Sequence, residues 1–428
     1  MTVLVFIGSL LGAMAIGMPI AFALLVCSVA LMLFMGLFES QVIAQNLING
    51  ADSFPLLAVP FFILAGEIMN VGGLAKRIVN VALTLVGHVR GGLGYVTIMA
   101  AVVLASLSGS AVADAAALAT LLMPMMVAAG HNRASSAGLI ASAGIIAPVI
   151  PPSIAFVIFG VASGVSIKKL FLAGIVPGML LGLALVIAWW WVSRKDQVEI
   201  LQTRKSAGDV GRALYEGIWA LMPHAIIVFG LPLGILTPTE AAVVAAVYSF
   251  FVATVIYREL RWAQIYQVLV SAALTTAIVV FLVAAAMVSA WLITLSQISM
   301  QIADMVEPFI GNQTLLLIMI MLLVVVVGTA LDMTPTILIL TPILMPVVIR
   351  AGIDPVYFGV LFIINNSIGL ITPPVGTVLN VVCGVTRVSM ADIIKGVTPF
   401  MLAQLAVLAL LILFPDIVIV PARWFAGQ

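Results

Sequence analysis

Charged residues are scarce in this chain of 428 residues: only 8% are Asp, Glu, Lys or Arg, whereas 64% are hydrophobic. This balance excludes a soluble globular domain and is typical of a membrane protein. Cysteine occurs only at Cys27 and Cys383, both inside apolar stretches, which excludes a disulfide framework. The three histidines lie far apart in the sequence, so no haem or metal centre is predicted. No Walker A loop indicates the use of ATP.

Long apolar runs follow one another from Val3 to Val420. Because about twenty apolar residues cross a bilayer as a helix, a chain of this length predicts about ten to twelve crossings. The first residues, MTVLVFIG, carry no basic segment and no cleavage site, so they are predicted to form a retained helix. The expected fold class is therefore an all-α polytopic membrane protein.

The chain contains one internal repeat, at a constant offset of 222 residues. The matching landmarks are Met123-Pro124 with Met345-Pro346, Ala129-Gly130 with Ala351-Gly352, and Pro151-Pro152 with Pro373-Pro374. Residues of this kind interrupt helices, and a two-fold repeat with interrupted helices is typical of secondary transporters.

The charges indicate that the two repeats are inverted in the membrane. Positions that are basic in the first repeat are not basic at the equivalent place in the second. For example, Arg133 corresponds to Pro355. The polar stretch Ser193–Glu216 carries five Lys or Arg residues, so the positive-inside rule makes it cytoplasmic. Threading outward from this stretch puts 13 of the 17 basic residues inside and both termini in the periplasm.

Two segments enter and leave the membrane by the same face and are predicted to be re-entrant hairpins, each followed by a helix broken in its middle. Freed carbonyls and Ser, Thr and Asn oxygens at such breaks suit Na⁺, and the half-helix beyond each break suits a carboxylate. Helix packing and kinking are the alternative explanation for these Gly, Ser and Pro residues. The predicted organisation is a first repeat over 1–195 (hairpin about 93–131, broken helix about 134–163), a cytoplasmic linker over 196–216, and a second repeat over 217–428 (hairpin about 313–351, broken helix about 356–386).

Four acidic residues lie in apolar surroundings, where an unpaired charge is costly. Asp332 falls at a predicted hairpin tip and is interpreted as functional, whereas Glu240 follows Thr237 as in a capped helix start. Asp114 is interpreted either as a helix-dipole group or as part of a ligand shell. The role of Glu67 stays open.

Several motifs resemble the large membrane subunit (DctM-like M subunit) of TRAP transporters, and the resemblance runs nearly end to end. The segments that carry it are Gly17–Ala23, Val59–Met69, Ser108–Asp114, Ala147-Pro148 with Pro151-Pro152-Ser153, Gly234–Ala242 and Asn365–Gly376. The resemblance implies an ion-transporter-superfamily fold of the elevator type in the bacterial inner membrane. It further implies Na⁺-coupled uptake of an organic acid, with a periplasmic substrate-binding protein and a separate small four-helix membrane subunit. Within the family, the sequence most resembles the sialic-acid branch.

The resemblance also assigns residues to sites. One Na⁺ site falls on Ser108, Gly109, Ser110, Gly144 and Pro148, and the other on Gly328, Thr329, Asp332, Asn366 and Thr372. The substrate is expected between the hairpin tips, with Ser110, Ser153, Asn365 and Thr377 as its contacts.

Two other functions remain open at this point. A stand-alone ion-coupled carboxylate symporter shares the inverted repeat and needs no binding protein. A quinone-binding or structural subunit of a respiratory complex would need haem histidines or chains of buried charges, which the sequence lacks. No enzymatic activity is predicted.

Overall fold

The computed structural model describes residues 1–194 and 205–425, and for residues 106–108 it describes the backbone alone. In these ranges every regular element is helical, with 21 α-helices. The helices are α1 Thr2–Ala15, α2 Ile20–Phe34, α3 Ser40–Ala51, α4 Ala58–Val71, α5 Leu74–Val86, α6 Gly92–Ser108, α7 Ala111–Ala128, α8 Arg133–Gly144, α9 Ile154–Ser163, α10 Ile167–Ser193, α11 Ala207–Gly230, α12 Pro238–Phe251, α13 Trp262–Leu295, α14 Ile298–Met305, α15 Glu307–Ile310, α16 Gln313–Ala330, α17 Met333–Arg350, α18 Pro355–Gly369, α19 Thr377–Thr386, α20 Met390–Leu413 and α21 Asp416–Phe425.

Helices of transmembrane length dominate the described part of the chain. Nine segments there are long and apolar enough to cross a membrane, two of them extended by a 3-10 turn before α4 and a π-helical turn after α12. Other apolar helices, such as α1, α2 and α18, are shorter. The all-α polytopic fold expected from composition is therefore confirmed.

The offset of 222 residues reappears in the ends of the helices. The hairpin helices α7 and α17 are both 18 residues long and begin at Ala111 and Met333. Packing is reciprocal as well, because α7 lies against α19 while α17 lies against α9. A pseudo-two-fold relation between the halves requires such an exchange of partners. The two hairpins, the two broken helices, α10 and α20 form one unit, called the hairpin unit below.

Each broken helix is interrupted where its prolines remove backbone donors. Residues 145–153 separate α8 from α9, and residues 370–376 separate α18 from α19. The Pro151-Pro152 and Pro373-Pro374 peptide bonds are both cis. The new helices then start differently: Ser153 caps α9, whereas α19 starts after Gly376, whose φ of +51° favours glycine.

The remaining long helices form a scaffold beside the hairpin unit, in which α4 packs against both α12 and α13. Helix α13 runs unbroken for 34 residues, whereas its counterpart in the first repeat is divided into α3 and α4 around Pro55. Helix α11 begins at Ala207, inside the predicted linker 196–216, because Ser206 and Asp209 form a reciprocal capping box. Residues 196–204 of that linker lie outside the described residues.

Close helix contacts in the hairpin unit depend on small residues. A Cβ at Gly138 of α8 would lie 2.3 Å from the carbonyl carbon of Gly396 on α20.

The three tryptophans at the end of α10 have different surroundings. Trp189 is fully buried, and its indole N–H donates to the Gly91 carbonyl at 2.8 Å. Its neighbours Trp190 and Trp191 are exposed, as an aromatic belt at the membrane surface requires.

We expect Gly138→Ala to lower the stability of the protein by about 1–3 kcal/mol, because the added methyl group forces α8 and α20 apart. The control is Gly12→Ala in α1, where nothing lies within 4 Å of the added Cβ. Since alanine favours helix over glycine, the control should be neutral or stabilising. Thermal unfolding in detergent measures both variants, and equal unfolding temperatures would contradict the tight α8–α20 contact.

Candidate functional site

Both hairpin tips meet the scaffold at a cavity of about 380 Å³. The tips contribute Gly109–Ala113 and Asp332–Thr334, and the first broken helix contributes Pro148, Ile154 and Ala155. The scaffold contributes Ile63, Gly66, Glu67 and Asn70 from α4, and Thr275, Ile278 and Val279 from α13. The scaffold residues lie in the interior of apolar helices, so the cavity lies at membrane depth. Its volume is within the usual range for small-molecule sites.

Three helices begin at the wall of this cavity: α7 at Ala111, α9 at Ile154 and α17 at Met333. The first N–H groups of a helix lack partners within the helix, and the helix dipole makes that end positive. Ser110 and Ser153 each accept one of these N–H groups, from Ala113 and Phe156. The arrangement therefore suits an anionic group such as a carboxylate.

The charged side chains that line the cavity, among the described residues, are all acidic: Glu67 and Asp332. Glu67 is half-buried and accepts a hydrogen bond from the Ser271 hydroxyl at 3.0 Å, whereas Asp332 is exposed at its hairpin tip. An anionic ligand would be repelled by both carboxylates. A cation bound with the ligand would offset this repulsion.

The first predicted cation set falls where the tip of the first hairpin packs on the first helix break. Gly109 has a φ of +57°, and a Cβ there would lie 2.8 Å from the backbone nitrogen of Ile154. A Cβ at Gly144 would lie 3.1 Å from the Ala111 carbonyl oxygen. The Pro148 carbonyl accepts from the Ser153 hydroxyl at 2.5 Å. Gly109, Ser110 and Pro148 line the cavity, and the side chain of Ser108 lies outside the described residues.

The second predicted set centres on Asn366, which is fully buried. Its amide Nδ2 donates to the Met333 carbonyl at 3.2 Å, and its Oδ1 has no hydrogen-bond partner. A Cβ at Gly328 would lie 2.8 Å from that Oδ1, so the second hairpin packs directly on the oxygen. An unpaired buried oxygen between a hairpin and a broken helix is suited to binding a cation.

The other members of the second set are more dispersed. The Thr329 hydroxyl donates to the Val326 carbonyl at 2.8 Å, within its own helix. Thr372 donates to the Ile368 carbonyl at 2.7 Å and lies against Met401 of α20. Asp332 lines the cavity.

Of the four predicted substrate contacts, the structure brings only Ser110 to the cavity wall. Ser153 is fully buried, where it caps α9 and donates to Pro148. Asn365 is buried outside the cavity lining, and its amide donates to the Met321 carbonyl of α16 at 2.5 Å. Thr377, at the start of α19, is not part of the lining either.

The scaffold side of the cavity was not predicted. Asn70 and Thr275 lie outside the predicted hairpins and breaks, and Glu67 lies in the Val59–Met69 motif, where its role was left open. A carboxylate in the apolar run 59–69 was the one available signal. Gln404 was missed as well: it is fully buried in α20 and donates to the Ser142 carbonyl at 2.9 Å.

A repeat of broken helices around a cavity at membrane depth defines a secondary membrane transporter. The fold is shared with the YdaH transporter of Alcanivorax borkumensis, with a TM-score of 0.64, 14% sequence identity and 86% of each chain covered.

The family model for the DctM component of tripartite ATP-independent periplasmic transporters matches residues 7–417, so the chain belongs to this family. It is 55% identical to the 2,3-diketo-L-gulonate TRAP transporter large permease protein YiaN of Escherichia coli over 99% of this chain and 100% of YiaN. It is 37% identical to the sialic acid TRAP transporter large permease protein SiaM of Vibrio cholerae, over 97% of each chain. The resemblance noted in the sequence is thus confirmed, and the protein is a large permease for secondary uptake of carboxylates.

We expect Asn365→Ala to lower stability by about 1–3 kcal/mol, because it removes a buried hydrogen bond to the Met321 carbonyl and leaves a void beside α16. The matched control is Asn380→Ala, where an exposed amide donates to the Val375 carbonyl at 3.0 Å and water can replace it. Thermal unfolding and uptake kinetics test the pair. If Asn365→Ala leaves stability unchanged but raises the KM for uptake, Asn365 contacts the substrate as the sequence predicted.

Proposed function

We propose that this permease takes up a sugar acid together with Na⁺, and that both bind where the hairpin tips meet the scaffold. The observation that carries the proposal is the composition of the cavity wall. Three helix N-termini attract a carboxylate there, while the charged lining side chains among the described residues are the carboxylates of Glu67 and Asp332. A bound cation resolves this conflict, because it offsets the repulsion between the substrate and these two groups.

Sodium fits the proposed cation sites better than a proton. Neutral oxygens surround the helix breaks, including the carbonyl of Pro148, the buried Oδ1 of Asn366 and the backbone at Gly328. Hard cations prefer such oxygens. The hairpin tips pack tightly on both breaks, so a cation bound there would fix the tips that hold the substrate.

The relatives support a sugar acid as the substrate class. The relative named for 2,3-diketo-L-gulonate is 55% identical, and the relative named for sialic acid is 37% identical. A six-carbon sugar acid with one carboxylate is therefore favoured over the larger sialic acid expected from the motifs. Both are hydroxylated monocarboxylates, so the same carboxylate site would serve either.

We propose an elevator mechanism for the movement. The hairpin unit would carry the substrate past α4 and α13, which remain fixed. The location of the cavity between the two parts supports this division. A small four-helix membrane subunit and a periplasmic binding protein would complete the transporter, since the family is tripartite. A stand-alone symporter is disfavoured for the same reason.

The first test is uptake into proteoliposomes that contain the complete transporter. Replacing external Na⁺ by K⁺ while a proton gradient is maintained should abolish uptake, because in the proposed coupling neither K⁺ nor the proton replaces Na⁺. Persistent uptake in K⁺ would rule out Na⁺ coupling. Uptake in the absence of a binding protein would instead support the alternative that the protein is a stand-alone symporter.

A pair of variants ties this result to the second helix break. Asn366→Leu removes the buried oxygen at similar side-chain size and should reduce uptake by at least about tenfold. Ile364→Leu, two residues earlier and equally buried, exchanges one apolar side chain for another and should have a mild effect. Normal transport by Asn366→Leu with an unchanged Na⁺ response would mean that the cation site is misplaced.

The protein is a multi-pass inner-membrane protein, and we further propose that both termini lie in the periplasm. The basic stretch before α11 supports a cytoplasmic location for that loop. In a variant lacking Cys27 and Cys383, a cysteine at Ser206 should react only from the cytoplasm and one at Asn312 only from the periplasm. Both positions are exposed. Labelling of both from one side would contradict the inverted arrangement.

A further inference from the structure

We propose that Glu67 selects the substrate: its carboxylate accepts hydrogen bonds from the hydroxyl groups of a sugar acid and repels any acid with a second carboxylate at its far end. The inference rests on the proposed function, since it assigns the scaffold side of the same cavity.

The position of Glu67 opposite the hairpin tips is the first support. Glu67 lies on α4 between Gly66 and the following turn that carries Asn70, and all three residues line the cavity. The helix N-termini lie on the hairpin unit, so a bound acid directs its carboxylate to the tips. The rest of the molecule then faces Glu67, Asn70 and Thr275.

The hydrogen bonding of Glu67 is the second support. Ser271 on α13 donates to its Oε1 at 3.0 Å and so fixes the carboxylate across two scaffold helices. A carboxylate has about four acceptor positions on its two oxygens, so one donor leaves capacity for substrate hydroxyls. The carboxylate is thus an oriented acceptor for a hydroxylated ligand.

The charge of Glu67 is the third support. The described lining of the cavity includes no Lys, Arg or His that could pair with this carboxylate. A second carboxylate brought to the scaffold side would meet a like charge in a half-buried site, where screening is weaker than in water. Hydroxyls and a terminal carboxylate are therefore distinguished by the same side chain.

The matched probes are D-gluconate and D-glucarate, which have the same carbon chain and differ by one terminal carboxylate. Binding to the purified large and small membrane subunits in Na⁺ is measured from the rise of unfolding temperature with ligand concentration. The wild type should bind gluconate at least about tenfold more tightly than glucarate. Glu67→Gln, which keeps an acceptor for Ser271, should weaken gluconate binding and bring the two affinities within about threefold.

Two controls separate charge from packing. Ser271→Ala removes the donor but keeps the charge, so it should preserve the preference for gluconate. Glu67→Asp keeps a carboxylate on a side chain that is one methylene shorter, so it should still disfavour glucarate. The inference is overturned if Glu67→Gln keeps the wild-type ratio, or if Ser271→Ala, which keeps the charge, abolishes the preference. Gluconate binding that is independent of Na⁺ would instead contradict the proposed function.

Discussion

The structure depends on one constraint: backbone N–H and C=O groups cannot be left unpaired against lipid. A helix broken at Pro151 or Pro373 exposes such groups, so the break has to be enclosed by protein. The two hairpins provide that enclosure, since Gly109 packs on the first break and Gly328 on Asn366 beside the second. The breaks are also kept away from lipid by the packing of α7 on α19 and of α17 on α9, and by the glycine contact between α8 and α20.

The same enclosure supplies the chemistry of the site. Hairpin tips and helix breaks both start new helices within the membrane, and three such N-termini reach the cavity, those of α7 and α17 at the tips and that of α9 at the first break. Just before the second break, the hairpin at Gly328 also encloses the side-chain oxygen Asn366 Oδ1, which has no hydrogen-bond donor. Positive helix ends and a buried unpaired oxygen therefore lie in the same part of the hairpin unit, and the proposed anion and cation sites need no basic side chain from the described lining.

Local signals in the sequence predicted the parts of the fold that local chemistry dictates. Prolines and glycines marked the hairpins and breaks, and the periodic recurrence at 222 residues reappears in the helix ends. The scaffold wall could not be predicted, because Glu67 and Thr275 meet only through the packing of α4 with α13. The hydrogen-bond partners of the two neighbouring asparagines could not be predicted from the sequence either. Asn365 and Asn366 are adjacent in α18, and the helical rotation between them directs their amides to different carbonyls, those of Met321 and Met333.

The unbroken helix α13 has a geometric consequence for movement. Its 34 residues extend about 51 Å, well beyond the roughly 30 Å of hydrocarbon in a bilayer. The cavity contacts it at Thr275, Ile278 and Val279, near the middle of that length. In the proposed elevator movement, the hairpin unit would face this same helix at every depth, so the seal against leakage of ions would keep one partner throughout.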